Sequence, residues 1–278
     1  MRAGVCTIAF KDRPLDIALD AIVASGARGV ELWGRAPHLP AEPADRRALR
    51  DRLDDAGLEL CALGSYYRPD GRTALRSDAS PGHSAGTGRD PEVDPLAVLD
   101  AAEDLRAPLV RIWPGTRDYE ACPDAERAAI VEEIRWFADE ATRRGTKVVL
   151  ERHNGTLTNS WDSAPRVIEE ISHDNVALCY QVPYPAPAEE LRTRTAADID
   201  RLLPLSAHAH LQNYALASDG TLPRTSLAGG VVDYAPLSAA VARSGYDGWA
   251  MVEFVGEVRA ELSDAEALAE DVRFIASL

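Results

Sequence analysis

Eight short apolar runs, each followed by a segment of helical periodicity, constrain the fold of this chain more than any other feature. The runs are VCTIAF (5–10), GVELWG (29–34), LELCALGSY (58–66), PLVRIW (108–113), KVVLERH (147–153), VALCYQV (176–182), SAHAHLQN (206–213) and WAMVEFV (249–255). Between them lie helical patterns at 16–26, 44–57, 95–107, 125–145, 233–245 and 264–278, several closed by a glycine. Eight units in 278 residues give about 35 residues each, the size of a right-handed βα crossover. An open doubly wound sheet would carry a Gly-rich first turn, but strand one is followed by KDRPLD (11–16). The expectation is therefore an α/β fold with one closed (β/α)8 barrel, a single domain over 1–278.

One segment interrupts the alternation. Residues 68–94 are rich in Gly, Ser and Asp and show no apolar period. Placed after strand three, they read as a long loop at the C-terminal face, either a lid over a site or simple mobile chain.

Charge and cysteine content narrow the function classes. A net charge of −15 argues against nucleic acid or an anionic membrane as partner, because phosphate contacts need clustered cations. No run approaches the ~18 apolar residues of a membrane span. The first strand begins almost at the N-terminus, and Cys6, Cys61, Cys122 and Cys179 form no CxxC pair, so a cytoplasmic location is expected. Lys11 and Lys147 are the only lysines, and neither is placed to form a Schiff base inside a barrel.

The chemistry lies in polar residues that intrude on strands otherwise made of hydrocarbon. Glu151, His210 and Glu253 each stand near the end of an apolar run, where an unpaired charge would cost several kcal/mol. Side chains alternate along a strand, so Glu151 shares a face with Val149 and His153, and Gln181 with Cys179. With those faces inward, Glu151, Gln181, His210 and Glu253 converge near the strand ends. This donor set suits one divalent cation, with Mn²⁺ favoured and Mg²⁺, Co²⁺ or Zn²⁺ as alternatives.

The segments VVLERHNG (148–155), DNVALCYQVPY (174–184), HAHLQN (208–213) and GGVVDYAPLSAAVARSGYDGWAMVEFV (229–255) resemble the xylose-isomerase-like barrel superfamily, in particular its sugar phosphate isomerase/epimerase branch. The resemblance implies metal ligands Glu, Asp, His and Glu from strands five to eight, which fall on Glu151, Gln181, His210 and Glu253. Gln181 departs from the family aspartate and removes one ligand charge. Ketose 3-epimerases of this branch carry a further Glu, His and Arg where this chain has Leu157, Tyr184 and Leu216. A free ketohexose in the usual pose is therefore not the expected substrate.

The expected activity is isomerisation or epimerisation of a sugar, polyol or keto-sugar derivative, by proton transfer next to a carbonyl through an enediolate. Glu151 and Glu253 are the expected acid/base pair, with His153 as a proton relay or substrate contact. The alternative is a lyase that dehydrates a keto-sugar, keto-inositol or glycoside with the same two carboxylates. A second alternative is a metal-free or non-catalytic relative, motivated by Gln181. Trp33, Tyr66, Trp113 and Tyr184 are candidates for an aromatic wall against a small carbohydrate-like substrate. Glu31 and His208 read as hydrogen-bonded core residues, and His38, His83 and His173 as loop or surface residues. A homo-oligomer is compatible with aromatics exposed near the barrel mouth.

Overall fold

A computed structural model describes residues 1–71, 93–182, 186–254 and 263–278. Eight parallel strands close into a barrel in the order β1-β10-β7-β6-β5-β4-β3-β2, each followed in sequence by a helix that packs outside. The strands are β1 (Arg2–Cys6), β2 (Gly29–Trp33), β3 (Glu59–Gly64), β4 (Leu109–Ile112), β5 (Lys147–Glu151), β6 (Val176–Tyr180), β7 (Ser206–Leu211) and β10 (Trp249–Val252). A two-stranded antiparallel ribbon, β8 (Asn213–Tyr214) and β9 (Arg224–Thr225), stands after β7. The helices are α1 (Leu15–Ser25), α2 (Pro43–Asp55), α3 (Pro95–Leu105), α4 (Asp124–Arg143), α5 (Ser163–Ile171), α6 (Ala188–Leu202), α7 (Ala235–Ser244) and α8 (Asp264–Ser277).

Local chemistry explains several boundaries. Proline occupies the first turn of α2, α3 and α7, where its missing N–H is no loss. Asp94 caps α3 by accepting from Leu96 N at 2.9 Å, and Ser263 with Glu266 forms a reciprocal capping box on α8. β1 lies at Arg2–Cys6, earlier than the 5–10 run suggested, because Thr7–Phe10 turns into a short 3-10 helix. The Thr7 hydroxyl accepts from Trp33 N at 2.8 Å and also meets His38 Nδ1 at 2.9 Å. His38 does lie in a loop, as expected, but not at the surface. It is buried, with Nε2 3.0 Å from the Arg13 carbonyl.

The barrel interior is layered. Cys61, Trp249 and Met251 form one apolar cluster, and Val149, Ala177 and Cys179 another. Beyond them the interior turns polar, with Glu31, Arg111, Glu151, His208 and His210 all buried. Gly64 belongs to this layer for a steric reason. A Cβ there would come within 2.6 Å of Glu31 Oε1 and 2.7 Å of Arg111 Nη2. Most of the expected 68–94 loop, His83 and Tyr184 fall outside the described residues. Among the described residues, no helix is long and apolar enough to cross a membrane.

Candidate metal centre and active site

Four strand ends deliver the expected donors to one place. Glu151 is the last residue of β5, and His210 the penultimate residue of β7. Gln181 and Glu253 directly follow β6 and β10. His210 Nδ1 lies 3.1 Å from Gln181 Oε1, 3.7 Å from Glu253 Oε1 and 3.9 Å from Glu151 Oε1. Ligands about 2.0–2.2 Å from a common ion are separated by distances of this order. The ligand atoms of Glu151, His210 and Glu253 all lie within 4.8 Å of one another. Glu253 Oε2 is buried without a hydrogen-bond partner, an orphan that a cation would satisfy. The donor set therefore fits a divalent ion.

A second triad, Glu31, His208 and His210, lies on the other side of the same imidazole. Glu31 Oε2 is 2.8 Å from His208 Nε2 and 2.6 Å from His210 Nε2, so this triad is hydrogen-bonded already. Arg111 Nε donates to Glu31 Oε1 at 2.8 Å, which makes that side a poor place for another cation. Glu31 instead fixes His210 with Nε2–H inward and Nδ1 facing the donors, the carboxylate–histidine arrangement that orients metal ligands. Arg111 Nη1 and Trp113 Nε1 both donate to Glu151 Oε2, leaving Oε1 on the His210 side.

Burial and these partners push the three carboxyls apart. Burial would raise Glu31, but His210, Arg111 and His208 outweigh it and hold the carboxyl well below the usual range. In Glu151 burial is likewise outweighed, by Arg111, His210, His153 and the Trp113 hydrogen bond, and its pKa falls. Glu253 has no such guanidinium contact. Burial, reinforced by Glu151, pushes it up to about 7. Burial opposes the charged form of His210, but Cys179, Glu31 and Glu253 raise it well above its ordinary value. His208 is lowered by burial, with Glu31 opposing.

A cavity of about 320 Å³ opens onto this centre. Its lining includes Tyr66, Trp113, Glu151, His153, Gln181, Glu253 and also Gln212, Arg224 and Phe254. Trp113 stacks on His153 with ring centroids 4.7 Å apart, and Tyr66 meets the Trp113 edge at 5.2 Å. His153 Nδ1 lies 2.7 Å from the Asn154 carbonyl, so it donates there and Nε2 is left as the basic nitrogen. Trp33 stands behind this row, donating from Nε1 to Tyr66 Oη at 2.8 Å, and does not line the cavity. Leu157 is fully buried and Leu216 is half exposed.

Three participants escaped the sequence reading. Arg111 sat unremarked within PLVRIW, although its alternation with Leu109 and Trp113 places all three on one face. Gln212 and Arg224 depend on the β8–β9 ribbon, which no periodicity announces. Arg224 Nε donates to Gln212 Oε1 at 3.3 Å, and its guanidinium lies 3.9 Å from the Phe254 ring centroid.

Comparison with known proteins agrees with this geometry. The sequence profile of the xylose isomerase-like TIM barrel family matches residues 19–278. A 3-dehydroshikimate dehydratase of Bacillus anthracis is 24% identical over 183 residues, which is 64% of this chain and 60% of that protein. The match thus spans less than two thirds of that relative's length. A probable 3-DHS dehydratase involved in petrobactin synthesis, also from Bacillus anthracis, superposes with a TM-score of 0.73 at 20% identity over 99% of each chain. The IOLI protein with a bound zinc atom superposes with a TM-score of 0.71 at 15% identity over 100% of this chain and 97% of that one. Likenesses at such identity establish the barrel, and the profile match establishes more: this chain is a member of the xylose isomerase-like TIM barrel family.

Proposed function

We propose that the protein is a divalent-metal-dependent enzyme that moves a proton next to the carbonyl of a small polyhydroxylated substrate. The observation that carries this reading is the convergence of Glu151, Gln181, His210 and Glu253 at 3.1–3.9 Å from His210 Nδ1, on the floor of a cavity. The zinc atom in the IOLI protein supports a metal in this fold, and Mn²⁺ suits a set with two carboxylates and an amide oxygen. A dication held by these four residues would act as a Lewis acid on a substrate oxygen and offset the charge that develops there.

The chain's own residues supply the rest. Glu151 stays ionised under Arg111 and Trp113, so its Oε1 serves as ligand and proton acceptor. Glu253, pushed up to about 7 before any ion binds, gives up that proton on coordinating, and its Oε2 can then take one from substrate. His153 Nε2 offers a further basic nitrogen, held flat against Trp113. Tyr66 and Trp113 line the cavity, their rings held in place by Arg35 over Tyr66 and by His153 and Arg68 on Trp113.

Between elimination and epimerisation, elimination is the better supported. The dehydratase relative points to loss of water from a cyclic keto acid, and Arg224 puts a cation in the cavity for an anionic substituent. The positions where ketose 3-epimerases carry Glu and Arg hold Leu157 and Leu216. Epimerisation is retained as the second reading because Glu151 and Glu253 both approach His210 Nδ1, as a two-carboxylate proton transfer requires.

The test is Mn²⁺-loaded protein with 3-dehydroshikimate, following the new ultraviolet absorbance that dehydration brings, beside ketoses and keto-inositols in D₂O. Turnover is expected with the cyclic keto acid, and Glu253→Gln should lower kcat about 10²–10⁴-fold without unfolding the protein. Deuterium entering a ketose with no elimination would favour the second reading. Full activity in both Glu151→Gln and Glu253→Gln would remove them from the chemistry.

A further inference from the structure

Arg111 is a buried cation that touches a proposed metal ligand. It is 3% exposed, in the heart of a barrel where a guanidinium is costly unless fully paired. Its Nε donates to Glu31 at 2.8 Å and its Nη1 to Glu151. Gly64 makes room for this pair, since any side chain there would strike Glu31 Oε1 and Arg111 Nη2. Arg111 therefore grips the inner oxygen of a proposed metal ligand from one side, while the cation would take the outer oxygen from the other.

Charge counting gives the arrangement a purpose. Glu31, Glu151 and Glu253 are three buried carboxylates, and Arg111 is one buried guanidinium. Ionised, and with His210 neutral as a ligand must be, they leave two negative charges, which one dication cancels. An aspartate at position 181, in place of Gln181, would leave a negative remainder. Loss of Arg111 would do the same and would leave the second oxygen of Glu151 with Trp113 Nε1 as its donor. Both changes strengthen the pull on a divalent ion, because Coulomb terms between buried groups are weakly screened.

We propose that Arg111 is a positioning residue of the metal centre that, pinned between Glu31 and Glu151, presents one Glu151 oxygen to the cation and, together with Gln181, keeps that cation loosely held. This rests on the metal reading above, and the experiment separates the two. Mn²⁺ affinity is measured by equilibrium dialysis and by the electron paramagnetic resonance signal of free Mn²⁺, on the full chain and its Arg111→Met and Arg111→Lys variants. Arg111→Met is expected to bind Mn²⁺ at least about tenfold tighter than the parent and to gain more melting temperature from added Mn²⁺. Arg111→Lys, which restores the charge, should return the affinity towards the parent value.

Weaker or unchanged binding in Arg111→Met would overturn the proposal, because a purely structural ion pair loosens the site when it is lost. Failure of that variant to fold even with millimolar Mn²⁺ would do so as well. Absence of Mn²⁺ binding by the parent would instead sink the metal centre itself.

Discussion

Two protons stand between the candidate centre and the proposed cation. One sits on Glu253, pushed up to about 7 by burial, and the other on His210, raised by its anionic neighbours. A carboxylate or imidazole ligand must lose its proton before it can coordinate. Calorimetric titration with Mn²⁺ near pH 7, in buffers of different ionisation heat, should therefore read release of about one to two protons per ion. Apparent affinity should weaken by about tenfold or more per pH unit below 7, and a flat profile from acid to neutral pH would contradict the assignment. The sign for stability is opposite. An unfolded glutamate titrates at about 4.3, below the folded value of Glu253. Its contribution is present below that unfolded value and is lost as pH rises through about 7. The metal-free protein should lose stability across that interval, and Glu253→Gln should flatten this part of the curve in urea titrations.

At the scale of elements, the β8–β9 ribbon links packing to the cavity. Asn213, which opens the ribbon, is buried and donates from Nδ2 to the Leu227 carbonyl at 2.7 Å and the Val232 carbonyl at 2.9 Å. Its Oδ1 accepts from Val232 N at 2.8 Å and Tyr214 N at 2.9 Å. Gly230 lies so close that any Cβ would collide with this amide. Gly229–Gly230 thus makes a turn folded onto Asn213, and the ribbon places Arg224 in the cavity wall. Asn213→Ala is expected to cost about 2–4 kcal/mol, because several buried backbone groups lose their partners together. Urea midpoints measure it, and a loss under about 0.5 kcal/mol would mean that the ribbon holds without the amide.

The same elements show what periodicity can and cannot convey. Strand runs were legible because buried parallel strands are almost wholly apolar, and the polar exceptions within them marked Glu151, His210 and Glu253 directly. Helix α5 and helix α6 were not delimited in advance; α6 carries a charged sequence, AEELRTRTAADIDRL, with a thin apolar stripe. The ribbon is two residues per strand and rests on one amide, below the reach of any period. Arg111 was missed because pairing across the barrel joins β2, β4 and β5, and sequence spacing carries no record of that closure.

For the molecule as a whole, the barrel interior and its surface obey different charge rules. The surface carries most of the net −15, where solvent and salt screen it. With His210 neutral, as coordination requires, the interior is short of two positive charges when Glu31, Glu151 and Glu253 are ionised against Arg111, and there screening is weak. The proposed divalent ion would repair that deficit in the folded barrel alone, since its candidate ligands come from β5, β7 and the residues following β6 and β10. Binding to the folded state alone must raise stability by mass action, about 2.7 kcal/mol at a hundredfold excess over Kd. For a domain of this size that corresponds to a rise in Tm of roughly 5 °C. Chelator should reverse the rise, and added Mn²⁺ should restore it. The shift should survive high salt, because it arises from buried ligands, whereas stabilisation by counter-ions on the acidic surface would be matched by monovalent salt. A Tm indifferent to chelator and to Mn²⁺ would mean that the interior carboxylates settle their charge by taking up protons.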